Sequence, residues 1–141
     1  MKVFTMGTFD LFHAGHVEFL RRCRALAGTG EVVVGLNTDA FAESYKRRPT
    51  IDYAGRETVL RACRFVDDVV PNDQPGGSAL ALVREVAPDV IAATMDYHPS
   101  TGKDWFVQVG VPADWFREQQ IAIEWIPYSN GVSSSEIKSR L

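Results

Sequence analysis

Cysteine is scarce in this chain of 141 residues: Cys23 and Cys63 are the only two, and neither has a second cysteine three positions away. A CxxC zinc frame and a disulfide scaffold are both excluded, and the pair reads as reduced thiols inside helices. No apolar run approaches the length of a membrane span. Positive charge is in deficit, with a formal net charge of −3, so no overall basic field gathers nucleic acid. One local basic cluster exists, Lys46-Arg47-Arg48. Met1-Lys2 leads straight into a strand rather than a signal peptide, which makes a cytoplasmic protein the expectation. There is no internal repeat, linker or low-complexity segment, so one domain is expected over residues 1–141.

What is present is alternation of strands and helices. Val3–Met6 is a short apolar strand, followed by a helix from Ala14 to about Ala27. Val17, Leu20, Cys23, Arg24 and Leu26–Ala27 give that helix its inner stripe, and Gly28-Thr29-Gly30 ends it. Glu31–Leu36 is a continuous apolar run, as expected of a strand buried on both faces. Asn37-Thr38-Asp39 leaves it and caps a short helix, Ala40–Tyr45; after a basic loop, Asp52 caps a longer helix through Cys63. Phe65–Val66 and Asp68–Pro71 carry a third strand, Ser78–Val86 a helix, Pro88–Ala93 a fourth strand, Pro112–Gln119 a helix and Ile121–Ile126 a fifth strand. Trp125 is assigned to the core of that last strand, and Ser133–Leu141 to a terminal helix. This order predicts an α/β fold with a Rossmann-like parallel five-stranded sheet flanked by helices, binding ligands at the carboxyl ends of its strands.

One stretch stands out: Gly7-Thr8-Phe9-Asp10-Leu11-Phe12-His13-Ala14-Gly15-His16. A strand ending in glycine and feeding a helix through a polar turn is an anion site, because the first turn of a helix offers unpaired N–H groups and the positive end of the helix dipole. His13 and His16 stand one helical turn apart and share a face. Phosphate beside paired imidazoles points to chemistry on a nucleotide.

These ten residues resemble the GxFDxxHxGH signature of the cytidylyltransferases, a branch of the HxGH nucleotidyltransferase superfamily. Arg64-Phe65-Val66-Asp67-Asp68-Val69-Val70 is similar to that family's RYVDEVV block, and Gly131-Val132-Ser133-Ser134-Ser135-Glu136-Ile137 to its GIST block. In size the chain is most like the bacterial glycerol-3-phosphate cytidylyltransferase group. The resemblance implies attack by a substrate phosphate on the α-phosphate of a nucleoside triphosphate, with release of pyrophosphate and with Mg2+ carried largely by the nucleotide. It implies transfer of CMP from CTP to a small phosphorylated alcohol such as glycerol 3-phosphate. ATP-dependent adenylyl transfer to a sugar phosphate, or a nucleotide-binding protein without turnover, are the alternatives. A homodimer is implied; a nucleic-acid or membrane partner is not.

By the same resemblance His13, His16, Lys46 and Arg47 form the catalytic set. Gly7, Thr8, Phe9, Asp10, Gly15, Arg64, Asp96, Ser133, Ser134 and Ser135 hold the nucleotide. Arg56 and His98 are assigned to the acceptor, and no residue to a metal. For Asp10 two roles stay open, bonding turn N–H groups or touching the cation. Two segments depart from the family pattern. Tyr128-Ser129-Asn130 stands where Arg-Thr-Glu is usual, and Thr94-Met95-Asp96 where Gly-Asp-Asp or His-Asp-Asp is common. Heptose-1-phosphate adenylyltransferases and archaeal FAD synthetases, which use ATP, also lack the Arg-Thr-Glu pattern.

Overall fold

The computed structural model describes residues 1–127 and 139–140. Five strands, β1 (Val3–Gly7), β2 (Val32–Asn37), β3 (Asp68–Asn72), β4 (Val90–Thr94) and β5 (Ala122–Ile126), form one sheet in the order β3-β2-β1-β4-β5. Every pairing is parallel. The expected five-stranded Rossmann-like sheet is therefore the observed one. Helices α1 (Ala14–Ala27), α2 (Asp39–Tyr45), α3 (Tyr53–Ala62), α4 (Leu80–Val86), α5 (Trp105–Val109) and α6 (Ala113–Glu118) make the connections.

Alternation along the strands explains the two cores. Val3 faces one side and Phe4 the other, as successive side chains of a strand must. Val3, Val32, Val34 and Leu36 pack with Leu20 and Cys23 of α1 and Leu60 of α3. Phe4, Val33, Ile91 and Ala93 pack with Val83, Trp105, Val109 and Phe116 from the later helices. Burial pushes the Cys23 thiol up to about 12, so it behaves as a small apolar side chain.

Three sequence expectations need correction, and one stretch without a reading is resolved. In α1, Val17 is exposed and Phe19 is buried, so the inner stripe starts from Gly15–His16 and runs through Phe19, Leu20, Cys23 and Ala27. The third strand starts at Asp68; Phe65–Val66 belong to the turn after α3. Trp125 is only half-buried, because β5 is an edge strand with one covered face. The stretch Asp104–Val109, which carries no clear pattern in sequence, is a short helix capped by Asp104.

The sheet opens where chain direction reverses. β1 pairs with β2 over five residue pairs, from Val3↔Val32 to Gly7↔Leu36. It pairs with β4 at Val3↔Val90 and Phe4↔Ile91 only. Beyond these the Thr5 hydroxyl donates to the Ala92 carbonyl at 2.9 Å, and the strands part. This is the topological switch point, the place where open α/β sheets take ligands. Gly35 shapes the floor beside it: a Cβ there would lie 2.8 Å from Phe4 Cζ and 3.0 Å from Met6 Cγ. Gly35→Ala is expected to destabilise the fold by about 1–3 kcal/mol through overpacking, as read from urea unfolding midpoints.

Candidate active site

The turn from β1 to α1 is built around two residues in an uncommon backbone region. Phe9 has φ 49° and Leu11 has φ 50°, left-handed values that cost non-glycine residues strain. The Phe9 ring folds back over Gly7, where a Cβ would stand 2.9 Å from the ring edge. Asp10 holds this shape. Its carboxylate accepts from Leu11 N at 3.1 Å, Thr50 N at 2.8 Å and Ile51 N at 3.0 Å. Of the two roles open to Asp10, the backbone one is therefore occupied: it ties the turn to the end of the basic loop.

The start of α1 differs from an open anion site. His13 is its N-cap, and His13 Nδ1 accepts from Gly15 N at 3.0 Å. His16 Nδ1 reaches back to accept from His13 N at 3.1 Å. The two histidines thus form a reciprocal capping box, and the N–H groups of His13 and Gly15 expected to meet phosphate are engaged. Each Nδ1 acts as acceptor, so each neutral ring carries its proton on Nε2. The rings stack at 3.9 Å, and Phe12 stacks on His16 at 5.4 Å. Burial, with the neighbouring His13 and against the pull of Asp10, brings His16 down to about 3. Burial also lowers His13. An imidazolium has no free lone pair to accept the cap bond, so geometry and burial agree. This helix start carries neutral imidazole Nε2–H groups rather than imidazolium charge; His16 lines the cleft, and the Nε2 of His13 is buried. His13 Nε2 has no partner among the described residues.

A cleft of about 480 Å³ lies over the carboxyl ends of β1 to β4. Gly7, Thr8, Phe9, Asp10, His16 and Asp96 line it, as do Lys46 and Arg47 from the loop after α2. Positive charge enters from that loop. Arg48 is held by Glu43 at 3.4 Å, whereas Lys46 and Arg47 pair with no carboxylate among the described residues. Lys103 lines the cleft and stands 5.4 Å from the centre of the Tyr97 ring.

His13 and Gly15 are not among the residues that line the cleft, and three further expected site residues are not brought here. Arg56 is wholly buried, and four of its five N–H donors are taken. Nε donates to Ile51 O (2.9 Å), Nη1 to Thr8 O (2.8 Å) and Asn37 O (2.9 Å), and Nη2 to Asp39 Oδ1 (2.7 Å). It supports the cleft from below and does not line it. Arg64 lies in the turn that precedes β3, at the amino edge of the sheet, and sits over Phe65. The cleft is at the opposite edge, because β3 only starts at Asp68. His98 caps a short 3₁₀ turn, accepting from Ser100 N at 3.1 Å, and packs edge-on against Trp125. Ser133, Ser134 and Ser135, with the terminal helix assigned to them, lie outside the described residues.

A buried amide row was missed in the sequence. Asn72 Nδ2 donates to Asn37 Oδ1 at 2.9 Å, and Asn37 Nδ2 donates to Thr8 Oγ1 at 3.0 Å and Tyr45 Oη at 3.2 Å. The available signal was local: each asparagine ends an apolar strand, at the edge where a parallel sheet binds ligands. Among the described residues no group of three or more His, Cys, Asp or Glu is placed to hold a metal ion.

A family model for cytidylyltransferase-like proteins matches residues 4–140. The chain belongs to the cytidylyltransferase-like family. It is thereby an enzyme of the nucleotidyltransferase kind. A FAD synthase of Pyrococcus abyssi is 36% identical over 120 residues, which are 83% of this chain and 79% of that protein. The bifunctional protein HldE of Magnetococcus marinus is 43% identical over 97 residues, 67% of this chain and 19% of that much longer protein. The glycerol-3-phosphate cytidylyltransferase of Bacillus subtilis is 29% identical over 140 residues, covering 99% and 96%. The fold likeness is shown by a lipopolysaccharide core biosynthesis protein of Thermoplasma volcanium, with TM-score 0.70 and 22% identity over 92% of this chain and 96% of that one. In this cytidylyltransferase-like chain the HxGH residues are His13, Ala14, Gly15 and His16.

Two outcomes are expected. Arg56→Met strands three carbonyls and the Asp39 carboxylate, and should cost about 3–5 kcal/mol in urea unfolding. Burial alone would raise the Asp39 pKa; the Arg56 hydrogen bond, the Tyr53 N–H and the charges of Arg56 and Arg48 bring it below the usual range. A lowered folded value means the pair's contribution is complete above the ordinary carboxylate range and is lost as pH falls through it. The deficit of Arg56→Met should accordingly shrink in acid. Nitrogen NMR of the histidines should show His16 as the neutral Nε2–H form from about pH 5 to 8, where a free histidine titrates.

Proposed function

We propose that this chain joins a nucleotidyl group to the phosphate of a small phosphorylated acceptor. An acceptor phosphate oxygen attacks the α-phosphorus of the nucleoside triphosphate. The bond from that phosphorus to the α–β bridging oxygen breaks, and pyrophosphate leaves with the electron pair. The attacking atom is already anionic, so no strong base is needed, and positioning with charge neutralisation carries the rate. The observation that supports this reading is the pair of imidazoles whose only remaining donors are Nε2–H groups. Neutral donors fixed before substrate arrives stabilise charge growing on the bridging oxygen without reorganising.

The roles divide between uncharged donors and mobile charge. His13 and His16 address the bridging oxygen and pyrophosphate. Lys46 and Arg47, exposed on the loop after α2, supply the positive charge. Thr8 and Asp96 line the cleft beside them and are assigned to the nucleotide. Magnesium enters as counter-ion to the triphosphate's own oxygens, which supply hard ligands without a protein cage. No step is assigned to an ion held by the chain.

ATP is the proposed nucleotide. The likeness to FAD synthases favours it, since FAD carries an adenylyl group, and the missing Arg-Thr-Glu pattern points the same way. Cytidylyl transfer to glycerol 3-phosphate is the second reading, favoured by the Bacillus subtilis enzyme that aligns over nearly its whole length.

Pyrophosphate release with ATP, CTP, GTP and UTP, each against a panel of phosphorylated alcohols and sugars, tests both readings. ATP should turn over with at least one acceptor; turnover with CTP alone supports the second reading, and none with any pair overturns both. His16→Asn keeps an oxygen for the cap bond and loses the Nε2 donor. It should fold as the parent does and lose about 10²–10³ in kcat. Unchanged turnover would remove His16 from the chemistry.

A further inference from the structure

Asn72 is 2% exposed, yet it lines the cleft. Its Nδ2 is taken by Asn37, and its Oδ1 has no hydrogen-bond partner among the described residues. A buried amide oxygen left unsatisfied costs on the order of 1–3 kcal/mol. Native structures rarely keep such a group without a partner to come. With Nδ2 turned to Asn37 Oδ1 the free atom is the oxygen, and its partner must donate a hydrogen bond.

The place of Asn72 in the sheet says which ligand brings that donor. It ends β3, the edge strand beyond β2 and two strands from the β1–β4 seam. The seam is the switch-point crevice where the nucleotide is assigned. Attack in line with the leaving pyrophosphate brings the acceptor from the side away from it, and on the reading taken for this chain the acceptor lies on the β2–β3 side of the cleft. Asn37, Tyr45 and Thr8 line that side, and their polar atoms belong to one hydrogen-bonded row with Asn72. The row has no charge. The cations nearest in sequence, Lys46 and Arg47, follow Tyr45 on the rim. Charge at the rim suits a phosphate, and a neutral row ending in a bare acceptor oxygen suits a hydroxyl.

We propose that Asn72 is a specificity-determining residue that accepts a hydrogen bond from a hydroxyl of the acceptor, selecting phosphate esters of polyhydroxylated alcohols or sugars. The inference rests on the nucleotidyl-transfer reading for its placement of the acceptor. Its selectivity follows from the cost of an empty position. A phosphate ester without hydroxyls leaves Oδ1 unpaired, and sites built to bond a substrate hydroxyl reject analogues that lack it.

Calorimetric binding tests this without turnover. Glycerol 3-phosphate, ribitol 5-phosphate and glucose 1-phosphate are titrated against propyl phosphate, which has the phosphate and no hydroxyl. At least one polyol phosphate should bind the unmodified protein about tenfold more tightly than propyl phosphate does, the size of one good buried hydrogen bond. Asn72→Leu should bring that margin to within about twofold and leave propyl phosphate and nucleotide affinities in place. A merely structural role for Asn72 would move all affinities together. The proposal is overturned if Asn72→Leu keeps the margin, or if the unmodified protein shows none with any of the three; the second result decides even where Asn72→Leu does not fold. Failure of pyrophosphate release with every nucleotide would instead count against the reaction.

Discussion

The site depends on one buried guanidinium. Arg56 reaches from α3 into a place where four pieces of chain end: the turn after β1, the end of β2, the start of α2 and the segment before α3. Three of its partners are carbonyl oxygens at element ends, which have no partner within their own ladder or helix. The fourth, Asp39, balances its charge. Arginine suits this task because its planar fork keeps several donors at fixed angles and its charge does not titrate. Taking such a group out of water is expensive, and the cost is offset by good geometry and by hydrogen bonds to its donors. Here four such bonds, one of them to a carboxylate, fix the geometry of Thr8, Asn37 and the start of α2 together.

Above that support, charge and donor functions are separated. The imidazoles are held neutral by burial and by their own caps, so they contribute direction rather than charge. Lys46 and Arg47 contribute charge from an exposed loop whose far end Asp10 ties down at Thr50 and Ile51. A loop anchored at both ends, by α2 and by Asp10, keeps its cations near the cleft at small entropic cost. The hydroxyl of Tyr45, the last residue of α2, also joins the amide row to the base of this loop.

The sheet and the first site block were legible because both are local in sequence. Apolar strands, their caps and the Gly7–His16 turn lie within short windows, and the periodicity rules act within such windows. The errors are of another kind. The resemblance assigns Arg56 to the acceptor, and nothing local in the sequence shows that its partner is Thr8, 48 residues away. Arg64 was carried to the nucleotide by its motif, although the turn that holds it lies at the far edge of the sheet. Asn37 reads in sequence as a strand exit and Asn72 falls just past the expected strand end at Pro71; their bond spans 35 residues and depends on β2 and β3 lying side by side. The open N–H groups expected at α1 were filled by His13 and His16 themselves, a choice of rotamer that spacing does not reveal.

The short pairing of β1 with β4 has a mechanical consequence. The ladder joining the β3-β2-β1 half to the β4-β5 half has two residue pairs, supplemented by one threonine hydroxyl and by the bonds of Lys2 to Asp89 and Val90 at its amino end. The seam is thus the line along which the sheet has least backbone resistance to shear, and the cleft opens directly above it. A molecule bonded to both banks would act as a rivet, lending the two halves a stiffness that their own strands leave out.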